Sequence, residues 1–223
     1  MEANNGEGKS CICCLVDDGS VESHRYYLAR RTVLEMLRDR GYDIPDSEID
    51  CSLQEFRSTY GQKPDLERIR VSASLLSDPS QKILVVFCGT DKINVRIARG
   101  IRNQITGKEE LSWPTRVILI LQSEILPQAR KEVEQFPCKV EFFQITDLLI
   151  NITKHVLKPK HEILTPEEKE KILNKYSLED KQMPRMLQSD AIARYYGLEK
   201  GQVVKVIYSG EITGSHVTYR CVV

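Results

Sequence analysis

Apolar residues first recur with helical spacing over residues 26–40, where Tyr26, Val33 and Leu37 share a face with Tyr27 and Leu34 beside it, and Gly41 supplies a left-handed stop. A second helix is predicted after Pro45, because Ile49, Leu53, Phe56 and Tyr60 fall at i, i+4, i+7 and i+11 before Gly61. The two read as a helical hairpin. Downstream the period shortens to that of strands, over 68–73, 82–88, 116–121 and 140–145, with helices predicted at 92–105 and 127–136 between them. This alternation implies an α/β domain, helices packed on a sheet, over residues 25–146.

After Leu149 the pattern changes, and the stretch KHVLKPKHE reads as a hinge-like connection into a second, smaller α+β unit over 147–223. Thr165-Pro166-Glu167-Glu168 is a helix start: Thr165 caps, Pro166 needs no donor, and Glu168 reaches back, with the helix expected to run to Tyr176. Ser189 or Asp190 caps a short helix through Tyr196 that Gly197 closes. Strands at 203–208 and 216–223, joined by SGEITGS, read as a hairpin. Residues 1–24, rich in Gly, Asn, Ser and Asp, read as a flexible extension.

Charge narrows the functional classes. The chain is 41% hydrophobic and 29% charged, with 32 basic against 32 acidic residues, so no global positive field draws it to DNA or to an anionic membrane. No run approaches the roughly 20 apolar residues of a membrane helix, and the amino terminus lacks the basic and apolar regions of a secretory signal. An intracellular, soluble protein is expected. Seven scattered cysteines fit a reducing compartment.

Candidate chemistry is thin. Cys11 and Cys14, with Cys13 between and His24 beyond, make half of a zinc site with no second half. Asp65 and the Glu167/Lys169 pair are too far apart in sequence to read as a nuclease centre, and His24, His155, His161 and His216 have no nucleophile beside them. Neither metal nor cofactor is expected. Lys92, Arg96 and Arg99, with Arg102 at the edge, form one face of the predicted 92–105 helix, opposite Ile93, Ile97, Ile101 and Ile105. That basic stripe reads either as a solvated face or as a phosphate-facing one. Pro127, with Arg130 and Lys131 behind it, opens a helix whose free amides suit a phosphate oxygen, although an ordinary Pro-initiated helix explains it equally well.

The strings LLINITKHVLKPKHEILTPEEKEKIL, QMPRMLQSDAIARYYGLEKGQVVKVI and HVTYR, in that order, resemble the assembly domain of the fifth subunit shared by eukaryotic nuclear RNA polymerases, a family with an archaeal counterpart. RDRGYDIPDSEID and LQEFRSTYGQKP resemble the opening of the eukaryotic jaw domain, which the archaeal relative lacks. The resemblance implies a non-catalytic subunit of a nuclear polymerase whose metals and nucleotide site lie on other chains. It implies partners in the largest subunit and other subunits, downstream double-stranded DNA and transcription factors, with no membrane. The family's DNA-proximal loop corresponds to Leu126-Pro127-Gln128-Ala129, matching at Pro127 and Ala129. Pro184, Arg185, Arg194, Tyr195, Gly197, Gly201, Gln202, Val203, Tyr219 and Arg220 match positions of the docking module, from which subunit contacts are expected. Ala191 stands in place of a usual proline and Tyr208-Ser209 in place of Arg-Pro, departures that point to a paralogue in a specialised polymerase such as plant polymerase V, active in RNA-directed DNA methylation and silencing. The alternatives are a subunit common to polymerases I, II and III, a free transcription-factor adaptor, or a degenerate nuclease.

Overall fold

A computed structural model describes residues 19–106, 113–210 and 214–223. The Cys11, Cys13 and Cys14 cluster, most of the expected extension and the tip of the SGEITGS turn therefore lie outside the described residues. Structure begins earlier than residue 25. The Ser20 side chain accepts from Ser23 N–H and starts α1 at Val21–Asp39. Tyr26, Ala29, Val33, Leu34, Met36 and Leu37 are all buried, so α1 is central rather than an amphipathic cover.

The expected second helix is two, α2 (Asp46–Ile49) and α3 (Leu53–Tyr60). Ser52 breaks it. Its backbone is extended (φ −77°, ψ 161°), and it forms a capping box with Glu55, a local alternative that competes with helix continuation. Ile49 and Phe56 reach the same core from either side of the break, which preserves the periodicity.

Four strands follow, β1 (Val71–Ser74), β2 (Lys82–Phe87), β3 (Arg116–Leu121) and β4 (Lys139–Gln144), in the order β1-β2-β3-β4. β1 is antiparallel to β2, and β2, β3 and β4 run parallel. The helices α4 (Val95–Thr106) and α5 (Pro127–Glu134) make the parallel crossovers. Alternate residues of β2 and β3 divide between two cores: Ile83, Val85, Ile118 and Ile120 meet α1, whereas Val86, Val117, Leu119 and Leu121 meet Ala98, Ile101, Ala129 and Val133 of α4 and α5. Covering both faces explains the unbroken apolar runs ILVVF and VILIL.

The second unit contains β5 (Lys160–Ile163), α6 (Pro166–Tyr176), β6 (Arg185–Met186), α7 (Ala191–Tyr196), β7 (Val203–Gly210) and β8 (Gly214–Val222), with strand order β5-β7-β8-β6. The Thr165–Glu168 capping box forms, Asp190 accepts from Ile192 N–H at 2.9 Å, and Gly197 closes α7 at φ 63°. The hinge reading of 154–162 is corrected. Lys154 is tied to Glu35 of α1, and residues 160–163 pair with β7 as a strand. With one apolar residue in K-H-E-I, this edge strand carries little pattern to be read. The expected boundary after 146 falls inside the short 3-10 turn Ile145–Leu148, whose Ile145 and Leu148 still belong to the N-terminal core.

Candidate subunit and nucleic-acid interfaces

The residues expected at a subunit interface divide into three groups. Tyr195 turns inward, and Arg194 and Gly197, both half-buried, are engaged in the seam between the two units. Tyr195 is 4% exposed and lies in the core of the N-terminal unit. Its hydroxyl donates to Asp39 Oδ2 at 2.8 Å and accepts from Asn151 Nδ2 at 3.3 Å. Burial, joined by the bond to Asp39, raises the pKa of that hydroxyl. Arg194 donates to the Phe142 carbonyl at 2.7 Å, pairs with Asp147 at 3.3 Å and lies over the Phe143 ring. Gly197 is required twice over: its φ is left-handed, and a Cβ there would lie 3.0 Å from Arg40 Cζ and Nη1.

Arg40, 4% exposed at its side chain, sits at the centre of this seam. It donates to Tyr195 O at 2.8 Å, to Arg194 O at 2.7 Å and to Glu141 Oε2 at 2.8 Å. The other oxygen of Glu141 takes Arg116 at 3.2 Å, and Arg116 and Lys139 both reach Glu199, at 2.9 and 2.8 Å. On the other flank Glu35 is held by Asn151 Nδ2 and Lys154 Nζ, each at 2.6 Å. Burial alone would raise the Glu35 pKa, but these bonds outweigh it and hold the carboxyl below its usual range. The INITK part of the family string thus clamps the connecting segment onto α1.

Gln202 serves its own turn, accepting from Glu199 N–H at 2.7 Å. Pro184, Arg185, Tyr219 and Arg220 gather where β6 meets β8, with Pro184 and Arg185 exposed and Tyr219 and Arg220 half-buried. Most of the exposed large apolar side chains among the described residues belong to the second unit. Ten of the thirteen exposed large apolar side chains among the described residues lie at or beyond Ile150, and Val156 is 96% and Leu157 85% exposed. Ile150 and Val156 also line a cleft of about 430 Å³ beside Leu28 and Arg31 of α1.

The second candidate surface lies at the carboxyl ends of β2 and β3, where open parallel sheets present their ligand sites. Ile93 bridges Ile125, Leu126 N–H donates to Ile93 O at 3.0 Å, and Ser123 Oγ donates to Asp91 O at 2.6 Å. These bonds lace the two loops together, so the start of α4, where Asn94 Oδ1 accepts from Ile97 N–H, lies beside the start of α5 at exposed Pro127. Lys92 and Arg96 are exposed here, but Lys92 precedes the helix and is not part of its face. Arg99 pairs with Glu132 at 3.1 Å. Ala129 is fully buried with residues of α4, so its methyl group is core and offers no side-chain contact to DNA. Asp91 and Glu124, also exposed, temper the charge of this shelf.

The remaining candidates serve structure. Asp65 accepts from Glu67 N–H in a turn, and Lys169 donates to Gly201 O in the other unit. Cys51, Cys88 and Cys138 carry free thiols, and burial pushes that of Cys88 up to about 12, making it an apolar filler. His161 is lowered by burial, with its Nδ1 at 2.8 Å from Pro159 O.

Family comparison agrees with the two-unit organisation. The model for RNA polymerase Rpb5, N-terminal domain, matches residues 20–105, and that for RNA polymerase Rpb5, C-terminal domain, matches residues 150–222. The chain is 53% identical over 224 residues to DNA-directed RNA polymerase V subunit 5A of Arabidopsis thaliana, covering all of both chains. To DNA-directed RNA polymerases IV and V subunit 5B of the same plant it is 53% identical, over 97% of this chain and 99% of the relative. It is 36% identical to the RPABC1 subunit of DNA-directed RNA polymerases I, II, and III of Caenorhabditis elegans, over 92% of this chain and 99% of the relative. With both domain models matched in order and relatives aligned along the whole chain, the protein belongs to the Rpb5 family of DNA-directed RNA polymerase subunits.

Proposed function

We propose that the chain is a non-catalytic subunit that docks on the largest subunit of a nuclear RNA polymerase through its C-terminal unit and holds its N-terminal unit, the jaw, beside downstream DNA. The observation that carries the docking role is the concentration of exposed apolar side chains from Ile150 onward. A free monomer gains nothing from Val156 and Leu157 in water, whereas a buried interface gains about 25 cal/mol per Å² of apolar area removed from solvent. Lys92 and Arg96 at the strand-end shelf support a sequence-independent phosphate contact, with Pro127 at the rim. Identities of 53% to subunits of polymerases IV and V, against 36% to a subunit of polymerases I, II and III, support a specialised silencing polymerase as the host.

Affinity purification of the tagged chain from nuclear extract, followed by mass spectrometry, tests this. The largest subunit of a polymerase V type enzyme is the expected co-purifying chain, in a particle far larger than this protein. Migration of the native chain as a free monomer would sink the docking role. Recovery only with polymerases I, II and III would keep that role and reject the specialised host.

A further inference from the structure

β8 spans Gly214–Val222, and β7 pairs with it along its whole length, from Val203↔Cys221 to Gly210↔Gly214. On its other side β6 offers only Arg185 and Met186, opposite Cys221 and Val222. Two hydrogen bonds fix which backbone groups face which way. Val222 N–H donates toward the start of β7, to Gln202 O at 2.9 Å, while Cys221 N–H donates toward β6, to Pro184 O at 2.8 Å. Residues alternate between neighbours along an antiparallel strand. Ser215, Val217 and Tyr219 therefore turn N–H and C=O away from β7, and among the described residues no strand meets them.

Open edges of this length are normally blunted by lysine, proline or a bulge. Ser215, His216, Val217, Thr218 and Tyr219 include none of these, and β7–β8 pairing is regular throughout. Arg185 and Arg220 border the open stretch from opposite faces of the sheet, and neither has an acidic partner among the described residues. Val217 adds an apolar contact at 40% exposure.

We propose that the open edge of β8 receives an extended, acidic segment of the largest polymerase subunit as a fifth strand of this sheet, an inference that rests on the docking role above. Backbone bonds to Ser215, Val217 and Tyr219 supply the affinity, and carboxylates facing Arg185 and Arg220 set the register.

Hydrogen–deuterium exchange resolved to single amides compares the full chain alone with the chain in polymerase reconstituted on its largest subunit. The Val217 and Tyr219 amides are expected to slow by at least roughly tenfold on assembly. Unchanged exchange at both within an intact assembly overturns strand addition and leaves docking standing, whereas failure to assemble overturns both. Val217→Pro removes one outward donor without touching a β7 bond and is expected to weaken retention by about tenfold. Val217→Thr keeps the donor and is expected to bind as the native chain does. Equal retention of the two variants also overturns the proposal. Should Val217→Pro fail to fold, the exchange measurement on the native chain decides.

Discussion

The two sheets treat their outer strands in opposite ways. In the N-terminal sheet the last strand, β4, is met by the protein's own chain: Arg194 donates to the Phe142 carbonyl, and Glu141 is gripped by Arg40 and Arg116. In the C-terminal sheet β8 runs on past β6 with its outward backbone groups unmatched among the described residues. A strand edge satisfied within the chain is architecture. One left to solvent, bordered by cations with no acidic partner among the described residues and by exposed Val217, is a place for something else to fit.

The sharpest way to break this contrast is at the closed edge. Arg40→Ala takes from Glu141 the partner of Oε2, leaving it Arg116 alone, and removes a donor to two backbone carbonyls of α7; removing one partner of a buried pair costs at most about 3–5 kcal/mol. Urea denaturation is expected to show that loss. A midpoint like the native one would mean that the seam does not hold the units together. Gly197→Ala attacks the same place by sterics, at a left-handed φ with a Cβ 3.0 Å from the Arg40 guanidinium, and is expected to cost about 1–3 kcal/mol in the same assay.

Smaller effects sharpen the comparison. The folded-state pKa of Glu35 lies below the unfolded value, so its contribution is full above the unfolded pKa of about 4.3 and is lost as pH falls through the folded one. Glu35→Gln is expected to flatten the acid limb of the stability profile, the difference between the two proteins shrinking as pH falls below about 4.3. An acid limb identical in the two proteins would remove the clamp on α1 from the account. The smallest effect on folding is expected at the strand-end shelf. Lys92→Glu combined with Arg96→Glu should leave the unfolding midpoint within about 0.5 kcal/mol of native. In the assembled polymerase the same pair should lower the salt slope of duplex binding by about 0.9 for each phosphate no longer neutralised. An unchanged slope, read by fluorescence anisotropy across a salt series, would take these residues away from the DNA.

Much of this was legible in one dimension because its cause is local. The Thr165–Glu168 capping box, Asp190 before α7 and the continuous apolar runs of β2 and β3 each arise from neighbours within a few residues or from burial on both faces. Family membership was readable for a related reason, since its strings preserve order and spacing. The break at Ser52 was hidden because Ile49 and Phe56 keep helical phase across it. Strand β5 was hidden because an edge strand with one apolar residue in four has no alternation to see.

The sequence by itself determined most of the elements, the caps at Thr165 and Asp190, the two-unit order and the family. Only the tertiary structure decided which of the family-matched residues point outward. Arg194, Tyr195 and Gly197 are indistinguishable in the string from Arg185 and Arg220, yet the first three close a seam with Arg40, more than 150 positions away, and the other two border an open edge. A residue's type states what it can bond to. Which bonds remain unmade is set by chain segments distant in sequence, and that is where a partner finds room.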